Sequence, residues 1–176
     1  MIKPVLHGYA HTMYPTPDQL IEPGKQAPDF ELMAAPTQSV RLSALRDRPV
    51  VIVFYPADFS PVCTDQLSLY QTATPAFAQY GAQVLAISTD GVWCHQAFAQ
   101  QREVKYPLLA DAWPHGATAD AYGVLDKDDG LAARALFVLD RNGVVAWNHL
   151  SPSGMNPGAD GILAALDSIN SKAVQS

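Results

Sequence analysis

The residues able to do chemistry gather around one cysteine, Cys63, and one arginine, Arg134. Cys63 closes the stretch Pro56-Ala57-Asp58-Phe59-Ser60-Pro61-Val62-Cys63. Ser60 followed by Pro61 reads as a helix opening, with Ser at the cap and Pro in the first turn. A cysteine in that turn faces unpaired backbone N–H groups and the positive end of the helix dipole, which favour the nucleophilic thiolate. A free cysteine is more often a small buried core residue. Here the cap, with Asp58-Phe59 before it, points instead to a nucleophile facing a cleft. Arg134 interrupts the otherwise apolar run from Leu131 to Leu139. An arginine in that setting needs an anionic partner or a route to water. Snorkelling at a strand end would give the route; a thiolate would give the partner.

The other candidates are weaker. The sequence has 2 cysteines, too few for a disulfide framework or a structural zinc site. Cys94 is either a second redox thiol or a core residue, since helical spacing sets it on one face with Phe98. Cys94-His95 could start a metal site, but no third or fourth ligand lies nearby, so no metal is expected. His7, His11, His95, His115 and His149 are read as surface or locally hydrogen-bonded residues. Trp93, Trp113 and Trp147 are read as core or dimer-interface aromatics. No glycine-rich phosphate loop appears, so no nucleotide or flavin cofactor is expected.

These residues need a scaffold. Of 176 residues, 48% are hydrophobic and only 16% charged, which excludes a disordered tail or a charge-rich coiled coil. The net charge of -6 argues against nucleic acid as a partner. The longest wholly apolar run, Val50 to Tyr55, is too short to cross a bilayer. Without an apolar segment near the N-terminus, no signal peptide is read, and the expected location is the cytoplasm.

Residues 1–23 read as an extended N-terminal arm and 24–176 as a single domain. Short strands are expected over Asp29–Leu32 and around Val40, joined through Pro36. Val50 to Tyr55 has the β-branched and aromatic make-up of a central strand buried on both faces. A helix follows from Ser60 to about Tyr80, with Leu67, Tyr70 and Phe77 on one stripe and Gly81 as its stop. Next come a strand over Gln83–Ser88, a helix near Trp93–Arg102, a short strand Leu108–Ala110 and a brief helix over Gly116–Tyr122. Asn142-Gly143 between two apolar runs marks a hairpin. Ile162, Leu163, Leu166 and Ile169 carry a closing helix. Strand–helix alternation followed by a hairpin and a helix gives an α/β class with a central mixed sheet flanked by helices. In parallel units, ligands bind beyond the carboxyl ends of the strands, which is where Cys63 falls.

The octapeptide ending at Cys63 resembles the P-x-x-x-[ST]-x-x-C signature of the peroxiredoxins, the alkyl hydroperoxide reductase and thiol-specific antioxidant family. Gly24 to Phe30, Val50 to Pro56, Ala86 to Asp90 and Ala133 to Asp140 resemble that family's other blocks, in its order, across residues 24 to 150. The resemblance implies a thioredoxin-like fold and a thiol peroxidase. In that reading Cys63 is the peroxidatic residue and passes through a sulfenic acid. Ser60 hydrogen-bonds the peroxide and thiolate, Pro56 shields the thiolate, and Arg134 stabilises the developing charge. Gln66 departs from the Glu that many members carry three residues after this cysteine. It could accept a hydrogen bond from Arg134 without adding charge.

Cys94 returns to the same sheet edge, which permits a resolving role. A Cys63–Cys94 disulfide would nevertheless require local unwinding, because neighbouring helices pack about 10 Å apart. The Val-Cys-Pro resolving element of typical two-cysteine members is absent, so the alternative is resolution by an external thiol. The implied partners are a hydroperoxide and a thiol reductant, either a thioredoxin-like protein or a small thiol, with a homodimer as the expected assembly. A protein-disulfide reductase is disfavoured by the lack of C-x-x-C, and a redox sensor would need only a reactive thiol.

Overall fold

The computed structural model describes residues 14–174. His7 and His11 lie outside them. Seven strands form one mixed sheet in the order β2-β1-β5-β4-β3-β6-β7. In chain order these are β1 (Glu31–Ala35), β2 (Gln38–Arg41), β3 (Val50–Phe54), β4 (Gln83–Ser88), β5 (Leu108–Ala110), β6 (Ala135–Leu139) and β7 (Val145–Leu150). Strands β3, β4 and β5 are parallel neighbours, while β6 runs antiparallel to both β3 and β7. Four helices accompany them: α1 (Pro61–Ala78), α2 (Val92–Arg102), α3 (Ala117–Ala121) and α4 (Asp160–Val174). This is the expected mixed α/β architecture with a C-terminal hairpin and helix.

Every residue of β3 is buried. Alternate side chains serve two cores, because successive residues of a strand point to opposite faces. Val51, Val53 and Tyr55 join Cys63, Leu67 and Tyr70 of α1, Phe98 of α2 and Ile162 and Leu166 of α4. Val50, Ile52 and Phe54 face the other core, with Leu20, Phe30, Ala119 and Tyr122. Leu20 is buried there, and Tyr14 packs against the same core, so residues 14–23 lie on this face of the sheet.

The β6–β7 turn is set by Asp140 and Gly143. Asp140 accepts the N–H groups of Asn142 and Val144 at 2.8 and 2.9 Å. Gly143 takes φ +77°, left-handed backbone that suits glycine. Of the three residues Arg141-Asn142-Gly143 only the glycine is left-handed, and the register shifts beside Leu139. The hairpin therefore turns through a three-residue loop with a bulge instead of the tighter two-residue loop that Asn-Gly usually signals.

For two of the tryptophans the core alternative is corrected. Trp93 is 70% and Trp113 87% exposed, so neither belongs to the core. Trp147 is partly buried and packs against the core that contains α4. Trp93 lies on the outward face of α2, while His95 and Phe98 fill its inward stripe.

Candidate active site

Strand β3 delivers the chain to the site, and α1 begins there. Ser60 is the helix cap, its hydroxyl oxygen accepting the Cys63 N–H at 3.4 Å. The residue before it, Phe59, has φ +61°, an unusual conformation for a bulky side chain. Its ring packs edge-on against Phe98 of α2, with centroids 5.2 Å apart. Cys63 is fully buried. The sequence placed it facing a cleft; in the structure, packing by α1 and the strand carrying Arg134 closes the sulfur from solvent. A groove of about 890 Å³ lies between α4 and the β6–β7 turn and is lined by Trp147, Gly161 and Lys172, away from Cys63.

Because β6 is antiparallel to β3, with Ala135 opposite Phe54, Arg134 stands at the same sheet edge as Cys63. Its Nη2 donates to Cys63 Sγ at 3.4 Å, and its Nη1 donates to Gln66 Oε1. Arg134 is only 3% exposed. Among the described residues no carboxylate forms an ion pair with it. A buried guanidinium without a carboxylate favours negative charge on whichever partner can carry it, and of its two partners only the sulfur can.

Gln66 is held by a directional chain. Tyr70 donates its hydroxyl hydrogen to Gly158 O at 3.0 Å, so its oxygen is left to accept from Gln66 Nε2 at 3.1 Å. That fixes the amide with its oxygen toward Arg134. Burial pushes the Tyr70 phenol up to about 12, against lowering by Gln66 and Arg134, so it remains a donor. Three buried polar atoms around the site have no protein partner among the described residues: Thr64 Oγ1, Arg134 Nε and Ser151 Oγ.

A second buried cluster anchors the loop before Cys63, and the sequence did not reveal it. Asp58 is 7% and His95 1% exposed. His95 Nε2 lies 3.1 Å from Leu109 O, which can only accept, so Nε2 carries a hydrogen. Nδ1 lies 2.8 Å from Asp58 Oδ2, a contact that needs another proton between them. The two buried groups are thus joined through that proton. Tyr55 donates to the other Asp58 oxygen at 2.7 Å, and Asp58 N–H donates to Asp90 Oδ2 at 2.8 Å. The loop is thus pinned to the ends of β3 and β4 and to α2.

Cys94 starts α2 beside this cluster and is half-buried, so it is not the core thiol that its spacing with Phe98 permitted. Burial, then a hydrogen bond to the Asp58 carboxylate and the charges of Asp58 and Asp90, push its thiol up to about 11. Both cysteines are free thiols. Pro56 is half-buried at the end of β3. His115 meets Gly130 O through Nε2 at 2.7 Å, and His149 stacks on Trp147 with centroids 5.9 Å apart. The described residues contain no cluster of three or more His, Cys, Asp or Glu able to hold a metal.

Residues 23–148 match the model of the AhpC/TSA family. Over 136 residues the chain is 35% identical to alkyl hydroperoxide reductase E of Mycobacterium tuberculosis, covering 77% of this chain and 89% of that protein. Over 154 residues it is 35% identical to a thioredoxin peroxidase of Echinococcus granulosus, covering 82% of this chain and 79% of that one. The crystal structure of peroxidoxin BcpB from Mycobacterium tuberculosis superposes with a TM-score of 0.75 at 36% identity, covering 85% of this chain and 98% of that chain.

Proposed function

The chain belongs to the AhpC/TSA family and is a peroxiredoxin, a thiol-dependent peroxidase, and we propose that Cys63 is its peroxidatic nucleophile, with Arg134, Ser60 and Pro56 as its catalytic surroundings. The observation that carries this assignment is the buried Arg134 guanidinium, unpaired with any described carboxylate, 3.4 Å from the Cys63 sulfur. Gln66 in place of a glutamate leaves the counter-charge to the sulfur.

In the first step the Cys63 thiolate attacks the terminal oxygen of a hydroperoxide, ROOH. The S–O bond forms as the O–O bond breaks. The sulfur loses two electrons and becomes a sulfenic acid, while the leaving alkoxide takes a proton and departs as ROH. Arg134 stabilises charge on the attacking sulfur and on the peroxide. Ser60 is placed to hydrogen-bond the peroxide with the hydrogen it does not use in capping. Arg134 Nε and the hydroxyl of Thr64, the residue after Cys63, are further buried groups without partners among the described residues. Pro56 keeps water from the thiolate side of the loop. In the second step a thiol attacks the sulfenic sulfur, releasing water and leaving a disulfide. A further thiol then reduces that disulfide and returns Cys63.

The resolving thiol is supplied externally in this reading, by a thioredoxin-like protein or a small thiol. The elevated Cys94 thiol supports it, because it leaves little thiolate near neutral pH. Hydrogen peroxide is the proposed main substrate, since the closed sulfur favours a small oxidant, with organic hydroperoxides as further ones. We also propose a homodimer of single thioredoxin-like domains spanning 24–176, working in a reducing compartment such as the cytoplasm.

The test is intact mass after one equivalent of hydrogen peroxide, followed by turnover with each class of thiol. Gain of one oxygen on Cys63, with turnover that survives Cys94→Ser, supports external resolution. Loss of two hydrogens, abolished by Cys94→Ser, would make Cys94 the resolving residue.

A further inference from the structure

Beyond the last pair of the β6–β7 ladder, Ala135 opposite Leu150, Arg134 and Ser151 face each other. Ser151 N–H donates to Arg134 O at 2.8 Å, which makes them a hydrogen-bonded antiparallel pair. Such a pair normally exchanges two bonds, so Arg134 N–H should donate directly to Ser151 O. It does not. The Tyr14 hydroxyl stands between them, accepting from Arg134 N–H at 3.4 Å and donating to Ser151 O at 2.9 Å.

We propose that Tyr14 is a positioning residue for Arg134, its hydroxyl replacing the final rung of the hairpin and fixing the backbone from which the guanidinium reaches Cys63. The inference rests on the assignment of Cys63 and Arg134 as the reacting pair. Tyr14 acts from behind the sheet. Its ring packs against the core that includes Ala133, Ala135 and Phe137, whereas Arg134, one residue out of phase, points to the Cys63 side. It therefore does not line the path between sulfur and arginine. The inserted oxygen takes the place of the direct rung where β6 begins, beside the rung that Ser151 N–H makes to Arg134 O at 2.8 Å. The phenol can fill both roles because it stays protonated: burial raises it above the ordinary 10, against the lowering effect of Arg134. Tyr14 and Ser151 both lie outside residues 23–148, so the stretch matching the family contains neither half of the bridge.

The test is a double-mutant cycle on the second-order rate of Cys63 oxidation by hydrogen peroxide, using the full chain, with thermal midpoints measured in parallel. Tyr14→Phe keeps the ring and removes the bridge. It is expected to slow oxidation about three- to tenfold, the worth of one net hydrogen bond, while leaving the protein folded. In an Arg134→Ala background the same change should alter the rate by less than about twofold, because a positioning residue has nothing left to position. Tyr14→Phe at the wild-type rate would overturn the proposal. An equal slowing in both backgrounds, or loss of the fold in Tyr14→Phe, would also overturn it by making the hydroxyl a general stabiliser. If Arg134→Ala alone leaves the rate unchanged, the assignment of Arg134 fails first, a result distinct from failure of the Tyr14 link.

Discussion

Replacing Arg134 separates a catalytic arginine from a structural one, because the two roles move rate and stability in different directions. Nη2 lies 3.4 Å from Cys63 Sγ. Opposite unit charges at that separation attract by about 5 kcal/mol at an effective dielectric of about 20. Water entering the vacated space returns part of this, and removing one preorganised donor typically costs about 100- to 1,000-fold in rate. Arg134→Met is therefore expected to slow Cys63 oxidation about 100-fold or more. Arg134→Lys keeps the charge, but one ammonium cannot reproduce the planar fork that reaches both Gln66 and the sulfur, so a loss of about tenfold is expected. Stability should move the other way. The guanidinium is buried without a carboxylate among the described residues, so an apolar side chain of similar volume removes a desolvated charge, which should leave stability level or raised. Rapid-quench alkylation of the remaining Cys63 thiol gives the rate, and thermal unfolding gives the stability. A rate within about threefold of wild type, or a loss of stability that parallels the loss of rate, would refute the reasoning.

Four further outcomes follow from other contacts. Asp58→Ala removes one partner of the buried Asp58–His95 pair and should cost about 3–5 kcal/mol in denaturant unfolding. In the wild type, Cys94 alkylation should rise with pH toward a midpoint near 11, and Asp58→Asn should move that midpoint down. Gly123→Ala should lower the thermal midpoint by the equivalent of about 1–3 kcal/mol; the added Cβ would sit 1.9 Å from Gln19 O at a φ of +73°. Tyr55, Tyr70, Tyr106 and Tyr122 are all raised by burial. Below the ordinary tyrosine range both folded and unfolded chains keep these protons. Above it the unfolded chain ionises first, so stability should fall as pH rises from about 10, measured by circular dichroism alongside tyrosinate absorbance.

What the sequence revealed was local. Ser60 and Pro61 write a helix start into adjacent residues, and the run Val50–Phe54 announces a strand covered on both sides. The hairpin itself was legible too, but not which strand it joins: the antiparallel pairing of β6 with β3, which sets Arg134 at the Cys63 edge, comes from the sheet. What stayed hidden depends on rotation or on distant pairing. The inward stripe of α2 runs through His95 and Phe98, so Cys94, a position earlier, is turned away from the core despite its helical spacing with Phe98. The type of residue could not say that Trp93 and Trp113 face outward. The Asp58–His95 pair joins positions 37 apart in the chain, and Arg134 meets Tyr14 across 120. Neither contact leaves a periodic or motif signal. The closure of Cys63 likewise comes from α1 packing with the segment that carries Arg134, although its place in the first helical turn was legible.

Single-turnover oxidation of reduced Cys94→Ser protein by one equivalent of hydrogen peroxide shows whether Cys63 is the peroxidatic thiol. Dimedone trapping followed by peptide mass mapping locates any sulfenic acid. One oxygen is expected, on Cys63, formed several orders of magnitude faster than on a free thiol and abolished by Cys63→Ser. Oxidation no faster than that of a free thiol, or a sulfenic acid that persists in Cys63→Ser, would contradict it.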